Sequence, residues 1–440
     1  GKKPAWKAAR ASLVRDLVAL FKPATPVLEP TFPEELHAFC VDLAGLTTAA
    51  DWLGSDADVF GYVSPDIDLV EHFRDAKARA RTSVANAGFR RPPAPSPRSF
   101  QALFGKSPWP LHEAIEKLVA EIHPGTLVIV EAAMGEGKTE AALLVYDAIA
   151  ATGGDGLFFA LPTQATANQI LGRVERYLST SFEGAHGLHL VHGGAGLSDK
   201  YDVLKRRALQ IRSVDGVSGA DYAPVADAWF TRSKRALLAP LGVGTVDQAL
   251  LGVLRSKHHF LRLHGLAGKV FVVDEVHAYD TFTSSILARL CEWLEALGTT
   301  VVLLSATLSS PQRANLLEAY GVTGPTEVAE YPRLTVARRG EGARSIAFPS
   351  RRTPVRVALA WLSRSELPGL LAEKLRGGGC CVWIVNTVAR AQALYLEMKK
   401  VLGVDIATIE VQLLHARFPM AQRLAAEARA ERAFGPPGPN

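Results

Sequence analysis

A short apolar run at residues 127–130 leads through Glu131 into Ala132-Ala133-Met134-Gly135-Glu136-Gly137-Lys138-Thr139, and a helix-forming stretch follows. Strand, glycine turn and helix in that order limit the chain to folds in which a parallel strand ends at a helix N-terminus. The loop fits the phosphate-binding pattern, with Ala132 where glycine is more usual. Gly135 and Gly137 let the backbone N–H groups around Glu136 turn inward onto phosphate oxygens. Lys138 neutralises charge near the β- and γ-phosphates, and Thr139 offers a hydroxyl to Mg²⁺. A second apolar run, Val270-Phe271-Val272-Val273, reads as a buried parallel strand that delivers Asp274 and Glu275 at its C-terminal end. Open α/β sheets bind ligands at that end. Asp274 is expected to hold the metal through water. Glu275 is expected to orient or deprotonate the attacking water, with Lys138 as its catalytic partner. The chemistry implied is binding and hydrolysis of a nucleoside triphosphate, ATP with Mg²⁺.

At 440 residues the chain exceeds one ordinary core, and 48% hydrophobic with 21% charged residues describes a globular protein. No apolar run reaches the ~18–20 residues of a membrane span, so no membrane partner is expected. Four cysteines, two of them the adjacent Cys380 and Cys381, give neither a disulfide framework nor zinc spacing. A reducing, cytoplasmic location follows. The net charge of +5 is compatible with a polyanionic partner but does not demand one.

Residues 33–54 show helical spacing of Leu36, Phe39, Cys40, Leu43 and Leu46. The prolines of residues 90–99 make a stiff linker and a domain boundary. Runs at 127–130, 157–161, 188–191, 271–274 and 301–305 read as strands, with helices between most of them, the pattern of a doubly wound parallel sheet. Residues 331–352, rich in Arg and Gly, read as an inter-lobe linker. Residues 380–385 read as a further buried strand and 389–402 as its helix, the start of a second α/β lobe. The expected order is therefore 1–89, linker 90–99, first lobe 100–330, linker 331–352 and second lobe 353–440.

Further segments stand at strand ends. Ser305-Ala306-Thr307 can hydrogen-bond across a cleft and couple the γ-phosphate state to a neighbouring lobe; alone it is an ordinary strand-end turn. Pro162-Thr163-Gln164-Ala165-Thr166 and Gly242-Val243-Gly244-Thr245-Val246-Asp247-Gln248 offer hydroxyls, amides and backbone N–H groups to a nucleic-acid backbone. Arg232, Lys234 and Arg235 add positive charge nearby. Each alone is more often a structural turn or a solvated face. Together, Thr163, Gln164, Thr245 and Gln248 suggest a track for single-stranded nucleic acid.

This series resembles a superfamily 2 helicase, and more narrowly the helicase–nuclease effector of type I CRISPR systems. The residues carrying the likeness are Met-Gly-Glu-Gly-Lys-Thr-Glu at 134–140, Asp-Glu-Val-His-Ala-Tyr-Asp at 274–280, Gly-Thr-Val-Asp-Gln at 244–248 and Leu-Leu-His-Ala-Arg-Phe at 413–418. The resemblance implies a RecA-like doubly wound sheet with the first motor lobe complete and the second only begun, preceded by an α-helical remnant of an HD-type nuclease domain. It implies an ATP-dependent 3′-to-5′ translocase on single-stranded DNA, recruited by an RNA-guided CRISPR surveillance complex and, in intact form, cutting that DNA. It places Asn386, Thr387 and His415 on nucleic acid. It places Asp51, in Gly45-Leu46-Thr47-Thr48-Ala49-Ala50-Asp51-Trp52, as the last carboxylate ligand of a divalent transition-metal nuclease centre.

Three departures from the family pattern bear on activity. His112, in Pro108-Trp109-Pro110-Leu111-His112, stands where the family carries an adenine-reading Gln, so adenine specificity rests on an imidazole. The histidines and His-Asp pair that should precede Asp51 and the later arginine-bearing Gln-x-x-Gly-Arg segment do not occur in these residues. An arginine of that kind contributes about 10³–10⁵ in rate. The expectation is ATP–Mg²⁺ binding with poor turnover, no nuclease activity from these residues alone, and a chain truncated at both ends. Two rival readings are a nucleotide-gated DNA- or complex-binding module without catalysis and an RNA helicase of the same superfamily.

Overall fold

The computed structural model describes residues 2–24, 33–63, 67–89, 98–154, 156–181, 188–191, 230, 235–254, 256–352, 356–375, 377–401 and 409–434. It divides into two compact units at residues 353 and 354.

The first unit is built on one eight-stranded sheet in the order β3-β4-β2-β5-β6-β1-β7-β8. The strands are β1 (Leu127–Glu131), β2 (Leu157–Leu161), β3 (Leu188–Val191), β4 (Leu241–Thr245), β5 (Val270–Val273), β6 (Thr300–Ser305), β7 (Arg333–Ala337) and β8 (Ala343–Ala347). The first six in spatial order run parallel. Strands β1, β2 and β5 are buried along their whole length because helices cover both faces of the sheet. On β1, Val128 and Val130 point to one side and Leu127 and Ile129 to the other, the period-two alternation of a strand.

Helices α1 (Lys2–Phe21), α2 (Pro33–Gly54) and α3 (Leu69–Ala87) precede the sheet. Short helices α4 (Phe100–Phe104) and α5 (Pro110–Leu118) lead into it. One face is covered by α4, α5, α6 (Lys138–Ala151) and α7 (Gln164–Ser181), with Ile115, Tyr146, Leu171 and Leu178 in the core. The other is covered by α8 (Val246–Leu250), α9 (His259–Leu266), α10 (Thr281–Ala296) and α11 (Ser310–Ala319), through Leu263, Leu290, Leu294 and Leu317. Helix α6 is buried nearly all round, as a helix central to a layer must be.

The structure differs from the sequence expectation in three places. Residues 333–347 are a hairpin of the sheet, not a linker: β7 pairs antiparallel with β1, and β8 with β7. The basic character of the segment hid this, because the charge of Arg333 is neutralised by Glu131, two hundred residues earlier in the chain. Residues 242–248 look in sequence like a glycine-rich motif only, yet 241–245 form strand β4, which lies between β2 and β3 and is wholly buried. Residues 380–385 do not form a buried strand. They are unpaired, with Val382 59% and Ile384 86% exposed, since no strand of the second unit pairs with them among the described residues. The proline-rich residues 90–97 lie outside the described residues.

The helix expected over 33–54 forms, but Leu36, Phe39, Leu43 and Leu46 are on its exposed side. Its packed side is made of small residues, Ala38, Gly45 and Ala49, and lies along α9. The second unit contains α12 (Leu367–Leu375), α13 (Val388–Val401) and α14 (Met420–Phe434). Its small core holds Leu394 and Met398 against Leu371, Trp383, Val385, Ile409 and Val411.

Candidate nucleotide and nucleic-acid sites

The loop from β1 to α6 closes through two left-handed glycines, Gly135 (φ 81°) and Gly137 (φ 83°), conformations that a side chain disfavours. Lys138 opens α6 and is buried, its Nζ donating to the Ala132 carbonyl at 2.8 Å. Burial depresses the Lys138 pKa, and the nearby Glu275 and Asp274 carboxylates oppose that shift. Asp274 follows β5 at the same end of the sheet. Its carboxyl is raised above the ordinary range, first by burial and then by Glu275, against the pull of Lys138 and His277. The loop, the buried ammonium and two carboxylates within its field are a donor and acceptor set that fits a nucleotide polyphosphate with a divalent cation. Thr139 adds its hydroxyl, which accepts a bond from Arg173 Nη1 at 3.4 Å.

Glu275 adopts the left-handed conformation (φ 55°, ψ 42°), which costs a non-glycine residue about 1 kcal/mol or more. Its N–H donates to Asp274 Oδ1 at 2.9 Å. Its carboxylate lies 3.2 Å from His277 Nε2. The N–H of Ala306 donates to His277 Nδ1 at 3.2 Å, so a neutral imidazole carries its proton on Nε2 and donates it to Glu275. Ser305 Oγ stands 3.2 Å from the same Nδ1 and donates to the Thr307 carbonyl at 2.8 Å. The Ser-Ala-Thr triplet is therefore wired through His277 to the carboxylate expected to act on water.

At the end of β1, Glu131 is buried and receives both Arg313 and Arg333 in forked pairs, with N···O distances from 2.6 to 3.0 Å. The Leu308 N–H adds a bond of 3.1 Å. Burial would raise the Glu131 carboxyl, but the two guanidiniums outweigh it and hold the pKa below the usual range.

His112 is not a free base reader. Its Nδ1 accepts the Trp109 N–H at 3.1 Å, which leaves the proton on Nε2, 3.1 Å from the Gly137 carbonyl. The ring stacks on Phe100 with centroids 3.8 Å apart. Both nitrogens are engaged within the protein, so His112 braces the phosphate loop and has no hydrogen bond left for adenine.

Strand register places Leu161 opposite Thr245, so the segments after β2 and β4 emerge side by side at the sheet's C-terminal edge. Thr163 is exposed and receives the Thr166 N–H at 3.3 Å. Thr245 is buried, Gln248 half-buried, and Gln164 opens α7. Arg235 stacks over Trp52, while Arg232 and Lys234 lie outside the described residues. In the second unit Asn386 Oδ1 accepts from Arg390, Thr387 Oγ1 accepts the Arg390 N–H, and His415 meets Gln392 at 3.3 Å. Asp51 is exposed on α2. Among the described residues no group of three or more His, Cys, Asp or Glu converges to hold a metal ion, so Asp51 has no co-ligands there.

Three protein families match successive parts of the chain. The profile of the Cas3 HD domain matches residues 1–60, the DEAD/DEAH box helicase profile residues 113–315, and that of the CRISPR-associated nuclease/helicase Cas3 C-terminal region residues 377–440. The chain belongs to the Cas3 family. The CRISPR-associated endonuclease/helicase Cas3 of Thermus thermophilus is 40% identical over 401 residues, covering 89% of this chain and 42% of that protein. Cas3 of Escherichia coli is 32% identical over 463 residues, covering 98% and 49%. The crystal structure of T. fusca Cas3 with ADP aligns with a TM-score of 0.83 at 33% identity, over 99% of this chain and 50% of that one. A chain of a CRISPR RNA-guided surveillance complex in a pre-nicking state aligns with a TM-score of 0.65 at 29% identity, over 99% and 47%. The chain thus spans about half the length of the curated Cas3 relatives it matches. Among the described residues no helix is long and apolar enough to cross a membrane.

Sequence reasoning missed four participants. The role of His277 is not visible in its motif, because its partners, Glu275 and Ala306, come from two separate loops. Glu131 carried a readable signal, a charged residue ending an otherwise apolar strand. Arg313 and Arg333 carried none, since ordinary surface arginines look the same.

Proposed function

We propose that this chain is the ATP-driven motor portion of a Cas3 effector that moves along single-stranded DNA in the cytoplasm. In this reading residues 1–89 are the C-terminal part of the nuclease domain, the sheet is the first motor lobe, and residues 353–440 begin the second. The observation that carries it is the convergence of Lys138, Asp274 and Glu275 at one end of the sheet, with the ends of β2 and β4 beside them. Gly135, Glu136, Gly137 and Lys138 hold the polyphosphate, and Thr139 with Asp274 hold Mg²⁺, which neutralises phosphate charge when bound. Glu275, oriented by its left-handed backbone and the His277 Nε2–H, takes the proton of the attacking water. His277 passes the state of that carboxylate to Ser305 and Thr307. Thr163, Gln164, Thr245 and Gln248 grip the DNA backbone in the first lobe, and Asn386, Thr387 and His415 do so in the second.

The family fit to a chain within an RNA-guided surveillance complex supports recruitment to that kind of partner. Nuclease action belongs to the intact protein, with a divalent metal. Lys138→Ala should weaken ATP–Mg²⁺ binding at least ~100-fold, since a buried ammonium facing phosphate makes charge-assisted bonds. Unchanged affinity would sink the site assignment. Competition between DNA and RNA oligonucleotides of one sequence separates the DNA motor from an RNA helicase: preference for RNA contradicts the reading.

A further inference from the structure

The residues that follow the β7–β8 hairpin, Ser350-Arg351-Arg352, are tied to the phosphate loop at several points. Glu136 lies at the tip of that loop and yet is only 1% exposed. Its Oε1 accepts the Ser350 hydroxyl at 2.6 Å and the Arg351 N–H at 3.1 Å. The Ser350 hydroxyl in turn accepts the Arg352 N–H at 3.2 Å. A buried carboxylate committed to a segment more than two hundred residues away is a specific fastening, because an unpaired one would be costly.

The fastening sets two guanidiniums against the loop. Arg351 stacks on Trp109 with its Cζ 3.5 Å from the ring centroid, and Trp109 itself packs on Gly137. Arg352 Nη2 lies where a side chain at Gly135 would begin, 2.9 Å from the position of a Cβ there. Its charge reaches Lys138. Among the described residues no carboxylate forms an ion pair with Arg352. Two cations beside the glycine loop form a field that a polyphosphate relieves.

We propose that Arg352 is a phosphate-contacting residue of the nucleotide site, placed there by the Glu136–Ser350 fastening. The segment leading out of the first unit thereby reads the phosphate chain of the bound nucleotide. This deepens the nucleotide-site reading above and rests on it.

The test uses the whole 440-residue chain, with equilibrium binding of ATP–Mg²⁺ and of inorganic pyrophosphate. Arg352 is exposed, so its replacement leaves the core intact. Arg352→Ala should weaken both ligands about tenfold, the scale of one charge-assisted hydrogen bond. Ser350→Ala should weaken them about threefold, and the double variant should bind no more weakly than Arg352→Ala alone, as for two residues acting through one contact. Arg352→Ala within twofold of the parent overturns the proposal, and so does a Ser350→Ala effect that persists in full without Arg352. Lys138→Ala is measured alongside. If it abolishes binding while Arg352→Ala does nothing, the Arg352 role alone fails. If it too changes nothing, the nucleotide site itself fails.

Discussion

His112 shows how much a single side chain is asked to do in this site. As a neutral ring it accepts from Trp109 and donates to Gly137, and both bonds hold the phosphate loop. Burial depresses its pKa below the ordinary histidine value, against the pull of Gly137 and nearby carboxylates. The sign follows from linkage: below about pH 6.5 the unfolded chain takes up a proton that the folded chain resists, so stability falls on acidification from there towards the depressed folded pKa. Protonation would also put an N–H on Nδ1, facing the Trp109 N–H. Thermal unfolding midpoints between about pH 7.5 and 5.5 should fall in the parent and fall less in His112→Gln. Equal slopes would contradict the assigned protonation state. Because His112 braces the loop rather than reading the base, His112→Ala should weaken ATP and GTP by the same factor, within about twofold; a loss confined to ATP would restore the ring to the base. The sequence marks this residue as a candidate for the nucleotide site. It could not show the direction of the ring, which depends on Gly137 and Trp109 closing around it.

Between elements, Glu131 is the joint of the first unit. It fastens the end of β1 to the loop after β6 through Leu308, to α11 through Arg313 and to β7 through Arg333. Removing the carboxylate leaves two guanidiniums facing one another with no anion between them. Glu131→Ala is expected to cost the fold about 3–5 kcal/mol, the usual penalty for breaking a buried ion pair from one side. Denaturant unfolding followed by a signal from the sheet measures it; a loss under about 1 kcal/mol would show that the network is dispensable. The same joint explains what the sequence concealed. Strands β2 and β5, wholly apolar, and β1, apolar up to Glu131, were legible because a parallel sheet covered on both faces demands them. Strand β7 was not, since its Arg333 looks solvent-bound until Glu131 is brought opposite. Strand β4 was hidden by Gly242 and Gly244, which lower strand propensity while its neighbours on both sides bury it. The reverse error arose at 380–385, where an apolar run has no partner strand among the described residues.

For the molecule as a whole, the helical region before the sheet is a fixed part of the first unit. Helix α2 lies along α9, with Asp42 Oδ1 2.7 Å from His264 Nδ1 and Gly45 so close to His264 that a methyl group would collide with its Cβ. Trp52 packs edge-on against His258 and under Arg235. Helix α9 follows closely on the β4–α8 segment expected to grip DNA, so the helix bearing Asp51 is held in step with that segment. Gly45→Val should lift α2 off by overpacking, at a cost of about 1–3 kcal/mol. Hydrogen exchange should then quicken in α2 while the sheet stays protected and ATP affinity holds; unchanged protection of α2 would contradict the rigid contact. In the proposed function this sheet hydrolyses ATP under the control of single-stranded DNA. Phosphate release by the 440-residue chain, with and without single-stranded DNA and beside Glu275→Gln, tests it most directly. Slow release that DNA stimulates is expected, with a Glu275→Gln variant that binds ATP as the parent does but releases about 10²–10⁴-fold less phosphate. Release by Glu275→Gln at the parent's rate would contradict it.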